Sequence, residues 1–473
     1  MAKLFSNAIK RVKGVLGRGS ASGDIDPTDP ASIDPHIIPR DHHSISRKHI
    51  SEAALRVMSI LHKAGYEGFL VGGGVRDLLL GGRPKDFDIA TDATPEQVNK
   101  LFRSSRIIGR RFKIVHVRFG REVIEVTTFR GTHEQTEESI KGKRPRNQQS
   151  ARSKNGMLLR DNVFGTVEED AIRRDLTINA LYYTTADFAI YDYTDGLRDL
   201  EDKIIRVIGD PETRYREDPV RMLRVVRFAA KLDFDIEQET ADPIYDLAPS
   251  LADIPAARMF DEVLKLFMSG KGVDVYELMQ EFGLFEPLFP QIQPYLEQDH
   301  YHTLVMQALK NTDTRIRQGK PVTPAFIYAA LLWPAVNERQ QQLIKEGVPA
   351  VPAMHQAAQE VMSMQQQCTS IPKRFGMPMR EIWEMQLRLP RRGGRKAEQL
   401  MENRRFRAAY DFLLLREQAG EETGNLGQWW TDYQNRSPDQ RAAMTENIRD
   451  KKIKRRRPRN KPRPDHSTAN FPE

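Results

Sequence analysis

The chain has almost no cysteine and no long apolar run. Its 473 residues include one cysteine, Cys368. A single cysteine rules out an intramolecular disulfide and favours a reducing compartment, so we expect a cytoplasmic location. No stretch approaches the roughly 18 consecutive apolar residues of a transmembrane helix, so we expect no membrane-spanning segment. The basic first residues are not followed by the apolar core and cleavage site of a secretory signal.

Several familiar nucleotide and metal motifs are also missing. The sequence contains no G-x-x-x-x-G-K-[ST] phosphate loop and no G-x-G-x-x-G dinucleotide fingerprint. It contains no His-Asp dipeptide, which leaves an appended metal-phosphohydrolase site without support. The 39% apolar and 29% charged residues are typical of a protein with a polar surface and a substantial core.

Positive charge is concentrated near the C-terminal end. The net charge is +8, and residues 451–464 alone hold nine Lys and Arg with no acid. The remainder of the chain is therefore close to neutral. A basic tail of this kind indicates a polyanionic partner such as RNA.

The most informative stretch is Phe69–Ala90, FLVGGGVRDLLLGGRPKDFDIA. The apolar run Phe69–Val71 predicts a buried strand, three glycines follow, and a helix is predicted to begin there. Because glycines lack a Cβ atom, the backbone N–H groups of Gly73 and Gly74 can approach phosphate oxygens at the helix N-terminus. Arg76, in the first turn of the helix, can donate a forked pair of hydrogen bonds to a phosphate.

A second strand is predicted to carry Asp86 and Asp88. Alternation along a strand places these two carboxylates on one face and Phe87 and Ile89 on the other. Two neighbouring carboxylates repel each other unless a cation lies between them, and oxygen ligands suit Mg²⁺ or Mn²⁺. The stretch therefore predicts a phosphate cradle beside a metal site.

The pattern GG-x-VRD followed by a D-x-D strand resembles the head of the class II nucleotidyltransferases. This branch holds the bacterial poly(A) polymerases and the tRNA CCA-adding enzymes. The fold class expected here is α+β, with a nucleotidyltransferase head built on a small mixed β-sheet and followed by an all-α neck and body. A disordered basic C-terminal tail completes the expected organisation.

The segment Arg173-Arg174-Asp175 precedes an apolar pattern with helical spacing. Asp175 suits the N-cap of such a helix, and capping alone would account for it. The resemblance implies more, because an R-R-D motif closes the nucleotide pocket in this family. Arg174 would then hold the triphosphate, and Asp175 would count with the catalytic acids Asp86 and Asp88.

A helix is predicted to start at Asp218-Pro219 and to carry Arg221, Arg224 and Arg227 along one side. Spacing alone describes a solvated basic face. However, the run of Glu217, Asp218 and Arg221 resembles the E-D-x-x-R motif that reads the incoming base in this family. A carboxylate accepts from an exocyclic amine and Arg donates to ring nitrogens. Arg224 and Arg227 would then face the triphosphate.

Two further features leave alternatives open. Glu125 lies mid-strand in Glu122–Phe129 and is either a third carboxylate of the site or a charge on a solvated sheet face. Residues 4–16 have the pattern of a basic amphipathic helix, which would either lie as a peripheral contact on an anionic membrane surface or dock on its own protein. Residues 133–159 are predicted to form a loop.

The expected domains follow from these patterns. They are a basic amphipathic helix and linker in 1–45, a catalytic head in 46–205, a helical neck that binds nucleotide and RNA in 206–270, an RNA-binding helical body in 271–450, and a basic disordered tail in 451–473.

Two features favour the polymerase branch. Residues 109–117 begin with G-R-R-F, which resembles a segment of the bacterial poly(A) polymerases. The basic tail supplies affinity for any RNA backbone, which an untemplated polymerase needs. The resemblance implies ATP and RNA 3′ ends as partners, Mg²⁺ or Mn²⁺ as cofactor, and a role in RNA turnover. The alternatives are a CCA-adding enzyme and a catalytically inactive RNA-binding protein.

Overall fold

The structure is a computed structural model that describes residues 12–13, 34–109, 113–131, 151–152, 158–160, 163–446 and 448. Residues 110–112 of the G-R-R-F segment, most of the predicted 133–159 loop and the basic tail lie outside the described residues. The described strands are β1 Val12–Lys13, β2 His36–Ile38, β3 Phe69–Val71, β4 Asp88–Thr91, β5 Ser105–Ile108, β6 Ile114–Phe119, β7 Glu122–Thr128, β8 Ala151–Arg152, β9 Leu158–Arg160, β10 Leu181–Thr184, β11 Ile190–Asp192, β12 Ile204–Ile205 and β13 Asp235–Glu237.

Eight of these strands form one mixed sheet in the order β2-β11-β10-β3-β4-β7-β6-β5. All neighbours in it are antiparallel except β4 and β7, which run parallel. Parallel neighbours require a crossover, and the chain between them forms one helix and the β5–β6 hairpin. The predicted mixed sheet of the head is confirmed, and the crossover places β7 directly beside β4.

Helices account for most of the rest of the described chain. They are α1 Glu52–Lys63, α2 Gly73–Leu79, α3 Pro95–Leu101, α4 Val167–Ile172, α5 Gly196–Asp202, α6 Pro211–Glu217, α7 Val220–Leu232, α8 Gln238–Leu247, α9 Ala256–Phe267, α10 Gly272–Glu281, α11 Asp299–Arg317, α12 Pro324–Lys345, α13 Ala350–Cys368, α14 Lys373–Gln386, α15 Arg395–Met401, α16 Phe406–Gln418, α17 Leu426–Gln434 and α18 Pro438–Glu446. From residue 238 onward the described chain contains only helices and connections, which confirms the all-α body.

The head sheet is covered on both faces. Leu70 and Ile89 belong to the large core that includes α1 and continues into the helical body. Phe69, Val71 and Tyr182 belong to a smaller core on the other face, which α4 covers. This double burial explains why Phe69–Val71 is apolar without alternation.

Local capping signals set the ends of two head helices. Ser51 Oγ accepts from the Ala54 N–H at the start of α1. Thr94 and Gln97 form a reciprocal capping box at the start of α3, with Pro95 in its first turn. These contacts fix the start of α3 at Pro95.

An aromatic cluster of Trp429, Trp430 and Tyr433 belongs to a second core at the C-terminal end of the body. Trp430 and Tyr433 are buried there, and Trp429 packs against them. This agrees with a structural role for the cluster. No helix of the described chain is long and apolar enough to cross a membrane.

Three sequence expectations about local structure are wrong. Val12–Lys13 form a strand that pairs in parallel with Ile236–Glu237, so the predicted N-terminal helix fails at these two residues; residues 1–11 and 14–33 lie outside the described chain. Asp175 is followed by the short 3₁₀ turn Thr177–Asn179 and then β10, so it caps no α-helix.

The third correction concerns Asp86. Strand β4 begins at Asp88, which pairs with Val71, the last residue of β3. The next residue, Gly72, leaves the sheet at φ 68°, so no partner strand remains for Asp86. Asp86 lies exposed just before β4 and outside the strand, while Phe87 and Ile89 are both buried, as the alternation predicts.

Candidate active site

The glycine turn after β3 forms one wall of the candidate site. Gly72 adopts φ 68° and ψ −137°, a conformation that only glycine reaches without strain. A Cβ atom on Gly72 would lie 3.4 Å from Arg174 Nη1, and one on Gly73 would lie 3.4 Å from Arg76 Nη2. Two arginines therefore converge on the turn. Gly74 faces the protein interior instead, against β3.

Arg76 is almost completely buried, with 2% of its surface exposed. Its Nη1 donates to Asn179 Oδ1 at 2.6 Å, and its Nε and Nη2 donate to Asp77 Oδ1. The guanidinium also lies over the ring of Phe228 on α7, 4.8 Å from its centre. Arg76 therefore connects the glycine turn, the 3₁₀ turn Thr177–Asn179 and α7.

The carboxylates line up across the sheet because of the β4–β7 crossover. Asp88 is paired in register with Glu125 on β7. Glu125 is in turn paired with His116 on β6, and its Oε1 lies 3.2 Å from His116 Nε2. Sequence alternation alone left the place of Glu125 open, and the register puts it next to Asp88.

Asp88 carries negative charge at a considerable cost. Burial raises its pKa from an ordinary value of 3.8 to about 6, and the charges of Glu125 and Asp86 also raise it while Arg174 lowers it. An uncompensated cluster of oxygen donors is the setting in which a divalent cation binds. Asp86 and Asp88 supply such donors, although no group of three or more metal-ligating side chains occurs in the described chain.

Arg174 lies between the carboxylates and the glycine turn. Its Nε donates to Tyr182 Oη at 2.7 Å, and its Nη2 donates to Asp170 Oδ2 at 3.0 Å. Burial lowers the pKa of Arg174, but Tyr182 and Asp170 outweigh this, so the pKa lies above its ordinary value. Arg174 is therefore a permanent positive charge beside the Gly72 turn.

Asp175 pairs with an arginine of α7 and does not join the row of acids formed by Asp88 and Glu125, called the acid row below. Its Oδ2 lies 2.7 Å from Arg224 Nε, and its Oδ1 accepts from Asn179 Nδ2. Burial raises the pKa of Asp175, but Arg224, the Leu176 N–H, Asn179 and Arg221 together hold it below the ordinary value. Asp175 is thus ionised and fixes α7 against the motif that contains it.

The arginines of α7 share the predicted side of that helix but have different partners. Arg221 Nη1 donates to Glu217 Oε2 at 3.0 Å, and Arg224 pairs with the Asp175 carboxylate. Arg227 lies over the ring of Phe228, and its buried Nε has no hydrogen-bond partner within the described residues. Burial, together with the neighbouring charge of Arg224, lowers the pKa of Arg227. The Arg227 end of this row of arginines therefore suits the binding of an anion.

The Asp218 carboxylate is held by an arginine from a neighbouring helix. Arg258 on α9 donates to both oxygens of Asp218, at 2.9 and 2.7 Å. A forked contact of this kind fixes the plane of the carboxylate. Arg221, held by Glu217, is fixed separately, so two polar groups are oriented side by side at the start of α7.

A further arginine joins the R-R-D motif to the neck. Arg214 on α6 donates from Nη2 to the carbonyls of Arg173 and Arg174, at 2.8 and 2.5 Å. Burial and the nearby charge of Arg221 lower the pKa of Arg214 to about 10. The backbone that carries Arg174 is thereby tied to the helix preceding α7.

Sequence reasoning missed five residues of this arrangement: Asp170, Asn179, Tyr182, Arg214 and Arg258. Asp170 lies in the first turn of α4 behind the Thr166–Glu169 capping box, where an acid is expected for local reasons alone. Arg258 lies 40 residues from Asp218. The buried-acid position of Asp170 carries no periodic signal, and only the folded chain brings Arg258 to its partner.

A glycine turn with arginines on one side and the acids Asp88 and Glu125 on the other form an arrangement that suits a nucleotidyltransferase. Matches to known families agree with this class. The poly A polymerase head domain matches residues 68–206, the probable RNA and SrmB-binding site of polymerase A matches residues 233–296, and the polymerase A arginine-rich C-terminus matches residues 346–464.

Full-length relatives narrow the class. Poly(A) polymerase I of Salmonella typhimurium is 51% identical over 437 residues, which cover 91% of this chain and 92% of the relative. Poly(A) polymerase I of Escherichia coli O6:H1 is 51% identical over 429 residues, 89% of this chain and 91% of the relative. The chain belongs to the bacterial poly(A) polymerase family, and the predicted resemblance is confirmed.

CCA-adding enzymes are more distant in sequence but share the fold. That of Bacillus subtilis is 36% identical over 235 residues, which cover 50% of this chain and 55% of the relative. The solved Thermotoga maritima CCA-adding enzyme complexed with tRNA superposes with a TM-score of 0.54 at 18% identity, covering 88% of this chain and 92% of the other. A solved tRNA-processing enzyme in apo form gives 0.55 at 21% identity, covering 83% and 93%.

Proposed function

We propose that the protein adds AMP units from ATP to RNA 3′ ends without a template and releases pyrophosphate. The observation that carries this proposal is the acid row of Asp88 and Glu125, with Asp86 close by, facing Arg174 at the glycine turn. In the reaction the RNA 3′-hydroxyl oxygen bonds to the α-phosphorus, the bond between that phosphorus and the bridging oxygen breaks, and pyrophosphate leaves.

Asp86 and Asp88 would hold the divalent cations, Mg²⁺ or Mn²⁺, through carboxylate oxygens. The cations supply charge neutralisation and activation of the hydroxyl when bound. The raised pKa of Asp88 supports this role, because it marks a negative charge without a full partner. Glu125, beside Asp88, would add to the negative field that attracts the cations, in a supporting role.

The triphosphate would lie between the glycine turn and α7. The Gly73 N–H and Arg174 Nη1, which lies close to Gly72, would contact it from one side, and Arg224 and Arg227 would contact it from the other. Arg76, which is buried, would act by holding the turn against α7 and by its positive charge. Asp175 would hold Arg224 in place, which makes it a partner of the phosphate arginines.

Asp218 and Arg221 would contact the Watson–Crick edge of the adenine. Asp218 can accept from the exocyclic amine, and Arg221 can donate to a ring nitrogen. Because Arg258 and Glu217 fix both groups, the base site would be rigid. A rigid pair of this kind suits the selection of one base.

RNA would be bound chiefly through backbone charge. The nine basic residues of 451–464 neutralise phosphates without reading bases. By analogy with the family, the tails would mark RNA for turnover. We also propose a cytoplasmic location, which the single cysteine favours. The basic residues at the start of the chain would make a peripheral contact with an anionic membrane surface.

The decisive experiment incubates the purified full-length protein with a labelled RNA oligonucleotide unrelated to tRNA and with each nucleoside triphosphate separately. We expect long extension with ATP and little with CTP, GTP or UTP. Addition of two C residues and one A to trimmed tRNA, followed by arrest, would establish a CCA-adding enzyme instead. Absence of any extension while RNA is retained would establish a binding protein.

A further inference from the structure

The guanidinium of Arg174 is held by a closed three-membered network. Asp170 Oδ2 accepts from Arg174 Nη2 at 3.0 Å and from Tyr182 Oη at 2.6 Å. Tyr182 Oη in turn accepts from Arg174 Nε at 2.7 Å, and the Tyr182 ring lies 4.9 Å from the guanidinium carbon. Each member of the network therefore contacts the other two.

The network is itself fixed from outside. Asp170 is 7% exposed, and its second oxygen, Oδ1, accepts from the Arg130 N–H at 3.1 Å. The Tyr182 ring is fully buried and is packed edge-to-face by Phe69 and Tyr193. Rigid supports of this kind lower the cost of holding a long arginine side chain in one rotamer.

The network leaves the Nη1 edge of the Arg174 guanidinium available to contact a ligand. Nε and the Nη2 terminus are occupied by Tyr182 and Asp170, while Nη1 lies against the Gly72 turn. A fork with one side fixed in this way can point in only one direction. That direction is the turn where the proposed triphosphate would lie.

We propose that Asp170 and Tyr182 are positioning residues that aim the Nη1 edge of Arg174 at the phosphates of the incoming nucleotide. This proposal rests on the proposed function, since it assumes that Arg174 contacts phosphate. Neither residue touches the substrate. Their contribution would be the orientation of one arginine.

A purely structural role for the network has different consequences. Removing a buried hydroxyl or carboxylate would then lower thermal stability but leave the preference for phosphate over nucleoside unchanged. Positioning instead predicts a selective loss of affinity for phosphate. The two roles separate when polyphosphate and nucleoside ligands are compared in the same variant.

The test compares Tyr182→Phe and Asp170→Asn with the full-length wild-type protein. Inorganic tripolyphosphate and adenosine serve as inhibitors against ATP, and the melting temperature is recorded for every variant. Tyr183→Phe is the matched control on the opposite face of β10, where its ring packs on His43. Asp313→Asn, a buried acid of the helical body, is the control for stability alone.

For Tyr182→Phe we expect the tripolyphosphate inhibition constant to rise roughly three- to tenfold, about the net contribution of one ordinary hydrogen bond. The adenosine constant should stay within about twofold. Asp170→Asn should have a larger effect, and if it fails to fold, Tyr182→Phe decides. Both controls should leave the ratio of the two constants unchanged.

A double-variant cycle with Arg174→Ala tests whether Tyr182 affects phosphate binding through Arg174. If Tyr182 acts through Arg174, Tyr182→Phe should add nothing in the Arg174→Ala background. Unchanged tripolyphosphate inhibition in Tyr182→Phe, with a strong loss in Arg174→Ala, would overturn the positioning proposal and leave the proposed function intact. Unchanged inhibition in Arg174→Ala itself would refute the phosphate role of Arg174 and the positioning with it.

Discussion

Replacement of Asp88 by asparagine should stabilise the metal-free protein while it abolishes AMP transfer. The folded protein raises the pKa of Asp88 from 3.8 to about 6. A group that binds its proton more tightly when folded destabilises the fold once it ionises. The penalty is fully present above about pH 6, declines as the pH falls, and vanishes below the unfolded pKa of 3.8. Asparagine carries no charge and avoids the penalty.

The shift of about two pKa units corresponds to about 3 kcal/mol at pH 7.5, which is an upper bound because Asp88 retains some contact with solvent. We therefore expect Asp88→Asn to gain about 1–3 kcal/mol in the free energy of unfolding at pH 7.5. Near pH 4 the gain should fall below about 1 kcal/mol. Glu125→Gln should give a smaller gain, because the Glu125 charge contributes to the raised pKa of Asp88.

The assay is urea unfolding in the presence of a chelator at pH 7.5 and pH 4, repeated with Mg²⁺ at pH 7.5. Mg²⁺ should stabilise the wild-type protein and have little effect on Asp88→Asn, because binding to the folded state alone raises stability. Asp202→Asn, an exposed acid on α5, is the matched control and should change neither curve. A less stable Asp88→Asn at pH 7.5, or a gain independent of pH, would refute the reasoning.

Three further predictions concern catalysis and binding. Asp86→Asn should lower the rate of AMP transfer roughly a hundredfold or more at saturating Mg²⁺ with little change in melting temperature, and near-normal turnover would contradict its role as a metal ligand. Arg258→Ala should relax the preference for ATP over CTP, because it removes the contact that fixes the Asp218 carboxylate, and Asp218→Ala should do the same. A parallel rise in the tripolyphosphate inhibition constant would count against a base-specific role. Deletion of every residue after Asp450 should raise the RNA concentration that gives half-maximal rate. It should also reduce the salt dependence of RNA binding, by roughly 0.7 in log–log slope for each lost phosphate contact. The nucleotide that is added should not change. Identical salt slopes for the full-length and truncated proteins would show that the tail does not bind RNA.

Short-range patterns in the sequence were sufficient for several parts of the site. The strand, glycine turn and helix of Phe69–Leu79 follow from local rules of burial and backbone freedom, and the structure has all three. The start of α7 after Asp218-Pro219 follows from the fixed φ of proline. The arginines of α7 recur on one side of the helix, as their spacing predicts.

Local rules failed at the ends of elements. The predicted strand began two residues too early, at Asp86, because a strand ends where its partner ends and Val71 is that partner's last residue. Asp175 has the chemistry of a helix cap. In the folded protein its carboxylate binds Arg224 instead, and the chain after it continues into β10.

Only the tertiary structure decided which charges meet. Glu125 is the neighbour of Asp88 because β4 and β7 run parallel, a pairing set by the crossover and not by either strand's own residues. Arg258 reaches Asp218 across 40 residues, and Tyr182 on β10 reaches Asp170 on α4. The sequence alone determined which chemical groups were present and which local elements carried them. Because hydrogen bonds and ion pairs act over a few ångströms in space regardless of separation along the chain, their partners were determined only by the fold.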